Sequence, residues 1–185
     1  MRIIAGDKRG MRLAEPKDQR IRPTSDKIKG AVFNTIQMDL DTDSVFVDLF
    51  GGSGAMGIEA LSRGAKEAWF FDIDRDSIAL IRKNVQKAGY ESCARIEPVS
   101  AMAGINMLAS KNIQGDFFFL DPPYIKGEES IELIRAVSEK KVLKSHGIIM
   151  MEHDKSVIMP LSIGNFVKYK EKKYGITVIS YYSEE

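Results

Sequence analysis

Apolar residues occur along this chain in two patterns, as short continuous runs and as positions spaced three or four apart. Runs rich in Phe, Ile and Val are typical of buried strands, and the spaced positions are typical of amphipathic helices. The two patterns alternate from residue 25 onward, which favours a parallel sheet, and a short connection between the last two runs favours an antiparallel end. The predicted strands cover residues 45–50, 68–71, 93–99, 117–120, 147–152, 166–170 and 176–181.

The pattern predicts an α/β fold with a seven-stranded, mostly parallel sheet whose last strand is antiparallel. Helices are expected after a cap at Thr24 or Ser25, at residues 55–64 with Gly64 as a left-handed end, at 75–87, after Ser100, and at 129–142. Before them, residues 2–5 and 11–15 are strand-like and flank a basic tip, which predicts a β-hairpin. An isolated hairpin is marginally stable, so we expect it to pack on the body or on a partner.

Basic residues concentrate at the amino-terminal end of the chain. Residues 1–30 carry nine Lys or Arg against four Asp or Glu, whereas the other 155 carry 18 against 22. A basic arm on a mildly acidic body is expected of a protein that touches phosphates with one end, although a solvated loop would look similar. We divide the chain into an arm (1–22) and a domain (23–185). The candidate phosphate contacts are Arg2, Lys8, Arg9, Arg12 and Arg22, with Lys17 and Arg20 nearby.

The strand at 45–50 runs into the glycine-rich segment 51–54, and a helix follows. Strand, glycine loop and helix bring backbone N–H groups close to a ligand. The loop also matches G-x-G-x-x-G, with Asp72 twenty residues after Gly52, but alone this match is weak evidence for a dinucleotide. Asp48 is an acid within the apolar strand. A buried carboxylate is costly without a donor or cation, and it would repel a pyrophosphate. The loop therefore predicts a ligand with an amine, against the alternative of an ordinary turn.

Asp48 and the glycines form Asp-x-x-x-Gly-x-Gly, which resembles the first motif of S-adenosylmethionine-dependent methyltransferases. In those enzymes the amine and sulfonium of the cofactor bring positive charge to this loop. Asp72 directly follows the strand at 68–71, where an acid can accept the ribose hydroxyls of an adenosine cofactor, whereas Asp74 caps the next helix. Ser100 is expected either near the adenine or only as the cap of the following helix. The predicted cofactor-binding residues are Asp48, Phe50, Gly51, Gly52, Gly54, Asp72, Ile73, Ser100, Ala101 and Asp121.

The strand at 117–120 ends in Asp121-Pro122-Pro123-Tyr124. Two prolines fix both φ angles and cannot donate hydrogen bonds, so the carbonyls beside them stay available as acceptors. One carboxylate and one aromatic ring next to those carbonyls suit a flat group bearing an NH₂. We predict Asp121, Pro122 and Tyr124 as catalytic residues, against the alternative of a plain proline turn.

Composition limits the remaining possibilities. The 185 residues suffice for one α/β domain with a small appendage, and the 44% hydrophobic and 29% charged fractions are those of an ordinary globular protein. No run approaches the roughly 18 apolar residues of a membrane span, and the amino terminus does not resemble a signal peptide. The single cysteine, Cys93, fits a reducing cytoplasm. His146 and His153 lack partners at ligand spacing, so we expect no metal site.

Five segments in order, RIIAGDKRGMRL, RPTSDKIKGAVFNTI, VDLFGGSGAMGIEALSRGA, FFDIDRD and FLDPPY, closely resemble the bacterial 16S ribosomal RNA guanine-N2 methyltransferases of the RsmD type. The resemblance implies a Rossmann-like S-adenosylmethionine-dependent methyltransferase sheet and release of S-adenosylhomocysteine. It implies a substrate guanine in 16S rRNA of the small ribosomal subunit or its assembly intermediate, with guanine 966 as the family target. We expect a cytoplasmic monomer that acts without a membrane.

Rival functions stay open at this point. An amino-group methyltransferase acting on another RNA or on DNA adenine shares the sheet and the DPPY segment, and only the arm speaks against it. A protein glutamine methyltransferase uses a similar turn, usually after Asn. A nicotinamide dehydrogenase needs no DPPY, and an assembly factor that only holds the ribosome needs no cofactor.

Overall fold

The computed structural model describes residues 1–16, 25–122 and 127–184. Five helices in those ranges are α1 (Asp26–Ile36), α2 (Ala55–Ser62), α3 (Arg75–Ala88), α4 (Ala101–Ser110) and α5 (Gly127–Glu139). The strands are β1 (Val45–Asp48), β2 (Glu67–Phe71), β3 (Ala94–Glu97), β4 (Gly115–Leu120), β5 (Leu143–Asp154), β6 (Ser162–Ile163), β7 (Phe166–Tyr174) and β8 (Thr177–Glu184).

All eight strands form one sheet in the order β3-β2-β1-β4-β5-β8-β7-β6. Strands β1 to β5 pair in parallel, and β6, β7 and β8 pair antiparallel. The predicted α/β fold with its antiparallel end is confirmed, with eight strands instead of seven. The added strand, β6, has two residues and pairs only with Val167 and Phe166, which is too short to leave a pattern in the sequence.

Both faces of the sheet are covered, which explains why its strands are continuous apolar runs. Phe46 and Phe70 point to one face, where they pack with α1, α2, α3 and the amino-terminal hairpin. Val47 and Trp69 point to the other face, where they pack with α4 and α5. The helices therefore hold the strand ends, and the loops that follow them, in fixed positions.

Helix ends follow the capping signals in the sequence. Ser25 caps α1 by accepting from the Ile28 N–H at 3.3 Å, and the other candidate, Thr24, lies outside the described residues. Asp74 caps α3 by accepting from the Ser77 N–H at 3.1 Å, as predicted, and Gly89 ends that helix in the left-handed region.

The first residues form the predicted hairpin, although with a single isolated bridge, Arg2 to Arg12, instead of two regular strands. The Ile3 N–H donates to the Met11 carbonyl at 2.9 Å, and the buried side chains of Ile3 and Leu13 join the core. We call residues 1–16 the arm from here on. The boundary predicted between residues 22 and 23 lies outside the described residues.

Within the described ranges, none of the helices has both the length and the apolar character required to span a membrane.

Candidate active site

The predicted site lies at the carboxyl end of β1. The chain adds β2 and β3 on one side of this strand and β4 and β5 on the other. Strand β1 has β2 on one side and β4 on the other, and the loops that leave their carboxyl ends meet above it. The Gly51 N–H donates to the Phe71 carbonyl at 2.8 Å, and the Leu49 N–H donates to the Phe119 carbonyl at 3.1 Å. A crevice at such a reversal is where open α/β sheets bind ligands.

The glycine loop has the shape that a close ligand requires. Gly52 and Gly54 have φ angles of 51° and 79°, and no side chain caps the first turn of α2. A Cβ added at Gly57 would lie 2.4 Å from a ring carbon of Phe70, so only glycine lets α2 pack this tightly on β2. The loop thus presents the amino-terminal end of α2 to the crevice. Phe50 is half-buried and packs toward the α4 and α5 face.

Asp48 is a buried acid at the floor of the crevice, with only 1% of its surface exposed. Burial, together with the carboxylates of Asp72 and Asp121, raises the pKa of Asp48 to about 8, although the backbone N–H groups of Phe50 and Gly57 act in the opposite direction. Its Oδ1 atom has no hydrogen-bond partner among the described residues. Three acids therefore converge on one point, and one buried oxygen there is left without a donor.

Asp72 follows β2 and holds the glycine loop in place. It accepts from the Gly52 N–H at 2.8 Å and from the Asp74 N–H at 2.9 Å. Ile73 beside it is 74% exposed, which is unusual for a large apolar side chain. The sequence predicted both residues at the cofactor site, and the structure places them on the rim of the crevice.

Ser100 and Ala101 follow β3. Ser100 accepts from the Ala103 N–H at 3.3 Å and so caps α4, which was one of the two roles predicted for it. Its side chain is exposed, and Ala101 is buried. The contact with adenine predicted for this pair stays a prediction.

Asp121 and Pro122 follow β4 directly and are half-buried. The register of β4 against β1 pairs Phe119 with Asp48, so Asp121 lies beyond Asp48 on the crevice side. Tyr124, the third predicted catalytic residue, lies outside the described residues, as does Pro123.

The predicted phosphate contacts of the arm fall into two groups. Arg9 and Arg12 are exposed and have no ion pair within the described part of the chain. By contrast, Arg2 pairs with Asp26 at 3.2 Å, and Lys8 lies 3.7 Å from Asp7. Arg22, like Lys17 and Arg20, lies outside the described residues.

Sequence reasoning missed the buried polar residues that attach the arm to the body. Glu59 on α2 accepts from the N–H groups of Ile4 and Ala5 at 2.8 and 3.0 Å and pairs with Arg63 at 2.8 Å. Lys29 on α1 lies 3.5 Å from Glu59 and donates to the Arg2 carbonyl, and neither Lys29 nor Glu59 is exposed to solvent. Lys29 and Glu59 are charged residues at helix positions where the periodicity calls for an apolar side chain. That mismatch was the signal in the sequence that could have revealed them.

Asn84 was missed for the same reason. It occupies an inward position of α3, between Ile81 and Ala88, and it is fully buried. Its amide contacts both the arm and the glycine loop.

Known proteins match this chain along nearly its whole length. The family model described as Conserved hypothetical protein 95 matches residues 1–183. The chain is 33% identical over 189 residues to the Ribosomal RNA small subunit methyltransferase D of Escherichia coli K12, covering all of this chain and 90% of that protein. It is 35% identical to the protein of the same name from Haemophilus influenzae, covering 95% and 90%.

Solved structures share the fold. A conserved hypothetical protein of Streptococcus pyogenes superposes with a TM-score of 0.77 at 34% identity, covering 85% of this chain and 95% of that one. An RNA methyltransferase from Salinibacter ruber, solved in complex with S-adenosyl-L-homocysteine, gives 0.66 at 17% identity, covering 86% and 92%. The second likeness concerns the fold alone.

Proposed function

Because this chain belongs to the Conserved hypothetical protein 95 family, the RsmD family that its motifs resemble, we propose that it methylates ribosomal RNA with S-adenosylmethionine as methyl donor. The finer proposal is transfer to the exocyclic N2 amine of a guanine in 16S rRNA, with guanine 966 as the expected nucleotide. The reaction takes place in the cytoplasm on the small subunit or its assembly intermediate, and the enzyme acts as a monomer.

The observation that carries the proposal is the unpartnered, buried Oδ1 of Asp48 beneath the glycine loop, a statement that concerns the described residues. A buried carboxylate whose pKa is raised to about 8 is stabilised most by a cationic donor. S-adenosylmethionine carries an ammonium and a sulfonium, whereas a dinucleotide would bring two phosphates to the same place. The residues present therefore fit the methyl donor better than they fit a nicotinamide cofactor.

The cofactor would be held by residues that follow neighbouring strands. Asp48 would accept from the ammonium, the N–H groups of the first turn of α2 would meet the carboxylate, and Asp72 would accept from the ribose hydroxyls. The exposed Ile73 would cover one face of the adenine. When bound, S-adenosylmethionine supplies an electrophilic methyl group on a good leaving group.

Asp121 and Pro122 would hold the amine that accepts the methyl group. The lone pair of the guanine N2 atom is delocalised into the ring, so it is a poor nucleophile until its two N–H groups are held by acceptors. The Asp121 carboxylate and the Pro122 carbonyl are acceptors at the crevice, and hydrogen bonds to both would turn the lone pair toward the methyl group. The new C–N bond would form as the bond from the methyl group to the sulfonium sulfur breaks, and one N–H proton would pass to Asp121 or to water.

The guanine must be unpaired or flipped out of its helix to enter such a crevice. Arg9 and Arg12 on the arm would hold phosphates of the surrounding RNA while the base is out. From the sequence we predict that Tyr124 stacks on the base.

Transfer of labelled methyl tests the proposal. Small ribosomal subunits from cells lacking this gene, duplex DNA and ribosomal proteins are offered as parallel acceptors with labelled S-adenosylmethionine. We expect label in the 16S rRNA, recovered as N2-methylguanosine after digestion. Label in DNA or in protein would contradict the proposal that RNA is the substrate, although S-adenosylmethionine would still be the methyl donor. Absence of label from every acceptor would contradict the proposal that the protein is a methyltransferase.

A further inference from the structure

Asn84 joins two segments that the proposed reaction has to coordinate. Its Oδ1 accepts from the Ala14 N–H at 2.7 Å, and its Nδ2 donates to the Ala14 carbonyl at 3.1 Å. The same Nδ2 donates to the Ser53 carbonyl at 2.9 Å. Ala14 lies in the arm and Ser53 lies in the glycine loop, so one side chain contacts both.

The polar character of this position serves those contacts. Asn84 is fully buried on the inward stripe of α3, where an aliphatic residue would pack without needing hydrogen bonds. An amide buried without partners is costly, and the Ala14 and Ser53 backbone groups would carry the same cost without Asn84. The three bonds satisfy all of these groups together, and they do so only while the arm and the loop keep their relative position.

At Ser53 the glycine loop is held by Asn84 and by the arm, whereas Asp72 holds it at Gly52. Ser53 stands between Gly52 and Gly54, and glycine on both sides leaves its backbone unusually free to move. Besides the bond from Asn84, the Ser53 side chain donates to the sulfur of Met1 at 3.2 Å. Met1 is also part of the arm, so a second contact ties the same loop residue to the arm.

We propose that Asn84 is a positioning residue that couples the glycine loop to the arm, so that filling the cofactor site also orders the arm. This inference rests on the proposed function, in which the glycine loop holds the cofactor and the arm holds the RNA. Coupling of this kind sets the distance between the phosphate contacts of the arm and the methyl group.

The test needs no RNA. S-adenosylhomocysteine affinity is measured by calorimetry, and amide hydrogen exchange is followed at Leu13, whose N–H donates to the Met1 carbonyl and not to Asn84. The exchange at Tyr181 in β8 serves as the reference for overall stabilisation. The variants are Asn84→Ala and, as matched control, Val85→Ala, which truncates a neighbouring buried apolar side chain of α3 and removes no hydrogen bond of a side chain.

In the wild-type protein we expect S-adenosylhomocysteine to slow exchange at Leu13 more than at Tyr181. Asn84→Ala should weaken the affinity about fivefold, the size expected for one missing buried hydrogen bond, and should abolish the extra protection at Leu13. Val85→Ala should lower the melting temperature while leaving the affinity and the extra protection unchanged.

Retention of the Leu13 response in Asn84→Ala, or its loss in Val85→Ala as well, would overturn the coupling. A wild-type protein that does not bind S-adenosylhomocysteine at all would instead overturn the proposed function, so the two failures are distinguishable.

Discussion

Two buried carboxylates in this molecule show opposite arrangements. Glu59, where the arm meets α2, accepts from two backbone N–H groups and from Arg63, with Lys29 close by. Asp48, below the glycine loop, has one oxygen without a partner among the described residues, and it lies near two further acids. The first acid is satisfied within the chain, and the second needs a donor from outside it.

The difference separates a structural charge from a ligand-binding one. Burying a carboxylate costs several kcal/mol, and that cost is offset only when its oxygens find donors. At Glu59 the donors come from the arm, from Arg63 at the end of the same helix and from Lys29 on α1, so the acid stabilises the folded chain. At Asp48 the donors are incomplete, so the acid weakens the folded chain unless a cation binds. Each prediction below tests one side of this contrast.

Asp121→Ala should give the largest change on the crevice side. Without the carboxylate that orients the amine, kcat should fall about 10³-fold or more while S-adenosylhomocysteine binding persists. Methyl transfer under saturating substrates and calorimetry measure the two effects, with Asp76→Ala on the exposed side of α3 as control. Failure of Asp121→Ala to bind the cofactor would show that this acid serves the cofactor instead.

Lys29→Met tests the arm side. The ammonium is fully buried and lies 3.5 Å from Glu59, and burial lowers the pKa of Lys29 while Glu59 opposes that shift. Removing one partner of a buried pair costs about 3–5 kcal/mol, so thermal unfolding should shift down by roughly 10 °C. Cofactor affinity measured at low temperature should stay unchanged, because Asn84 still joins the arm to the glycine loop. A Lys29→Met variant that stayed stable but no longer bound the cofactor would show that the Lys29–Glu59 pair serves the cofactor and not the stability of the fold.

The outer surface of the arm should matter for RNA alone. Reversing Arg9 and Arg12 to Glu should weaken binding to small-subunit rRNA about tenfold and reduce the salt slope by about one for each phosphate that is no longer neutralised. The matched control reverses Lys140 and Lys141, which are exposed between α5 and β5. Equally weakened binding in both variants would point to general charge, and unchanged binding in both would make the arm a solvated surface.

Asp48 should also make the stability of the folded protein depend on pH. Between pH 3.8 and about 8 Asp48 is protonated in the folded state and ionised in the unfolded chain. The folded state then binds more protons, so stability without cofactor should fall as pH rises through this window and lose nothing further above it. Chemical denaturation at several pH values should show a smaller fall in Asp48→Asn. Identical pH profiles for the two proteins would contradict the raised pKa.

The sequence predicted the glycine loop, the positions of the parallel strands and the two closing strands because each has a local pattern. Asp48 was recognisable as an acid inside an apolar run, and Asp74 as a cap. Lys29, Glu59 and Asn84 were missed because their partners in the arm are 27 to 70 residues away along the chain. A polar residue on an apolar helix stripe shows that a partner exists, but not which one.

Strand limits were also harder to predict than strand positions. Strand β5 begins at Leu143, four residues before the predicted start, and the added residues include Lys144, Ser145 and His146. Pairing of Leu143 with Gly115 on β4 extends the strand there, followed by a register shift. A neighbouring strand, and not local propensity, decides such residues.

Calorimetry of S-adenosylhomocysteine binding to Asp48→Asn and Glu59→Gln tests the contrast most directly. Asp48→Asn should bind at least about tenfold more weakly, since a charge-assisted hydrogen bond to the ammonium is removed, and its melting temperature should not fall. Glu59→Gln should melt lower and still bind. Equal affinity for Asp48→Asn and the wild type, or absence of binding only in Glu59→Gln, would show that the unsatisfied acid is not the one that holds the cofactor.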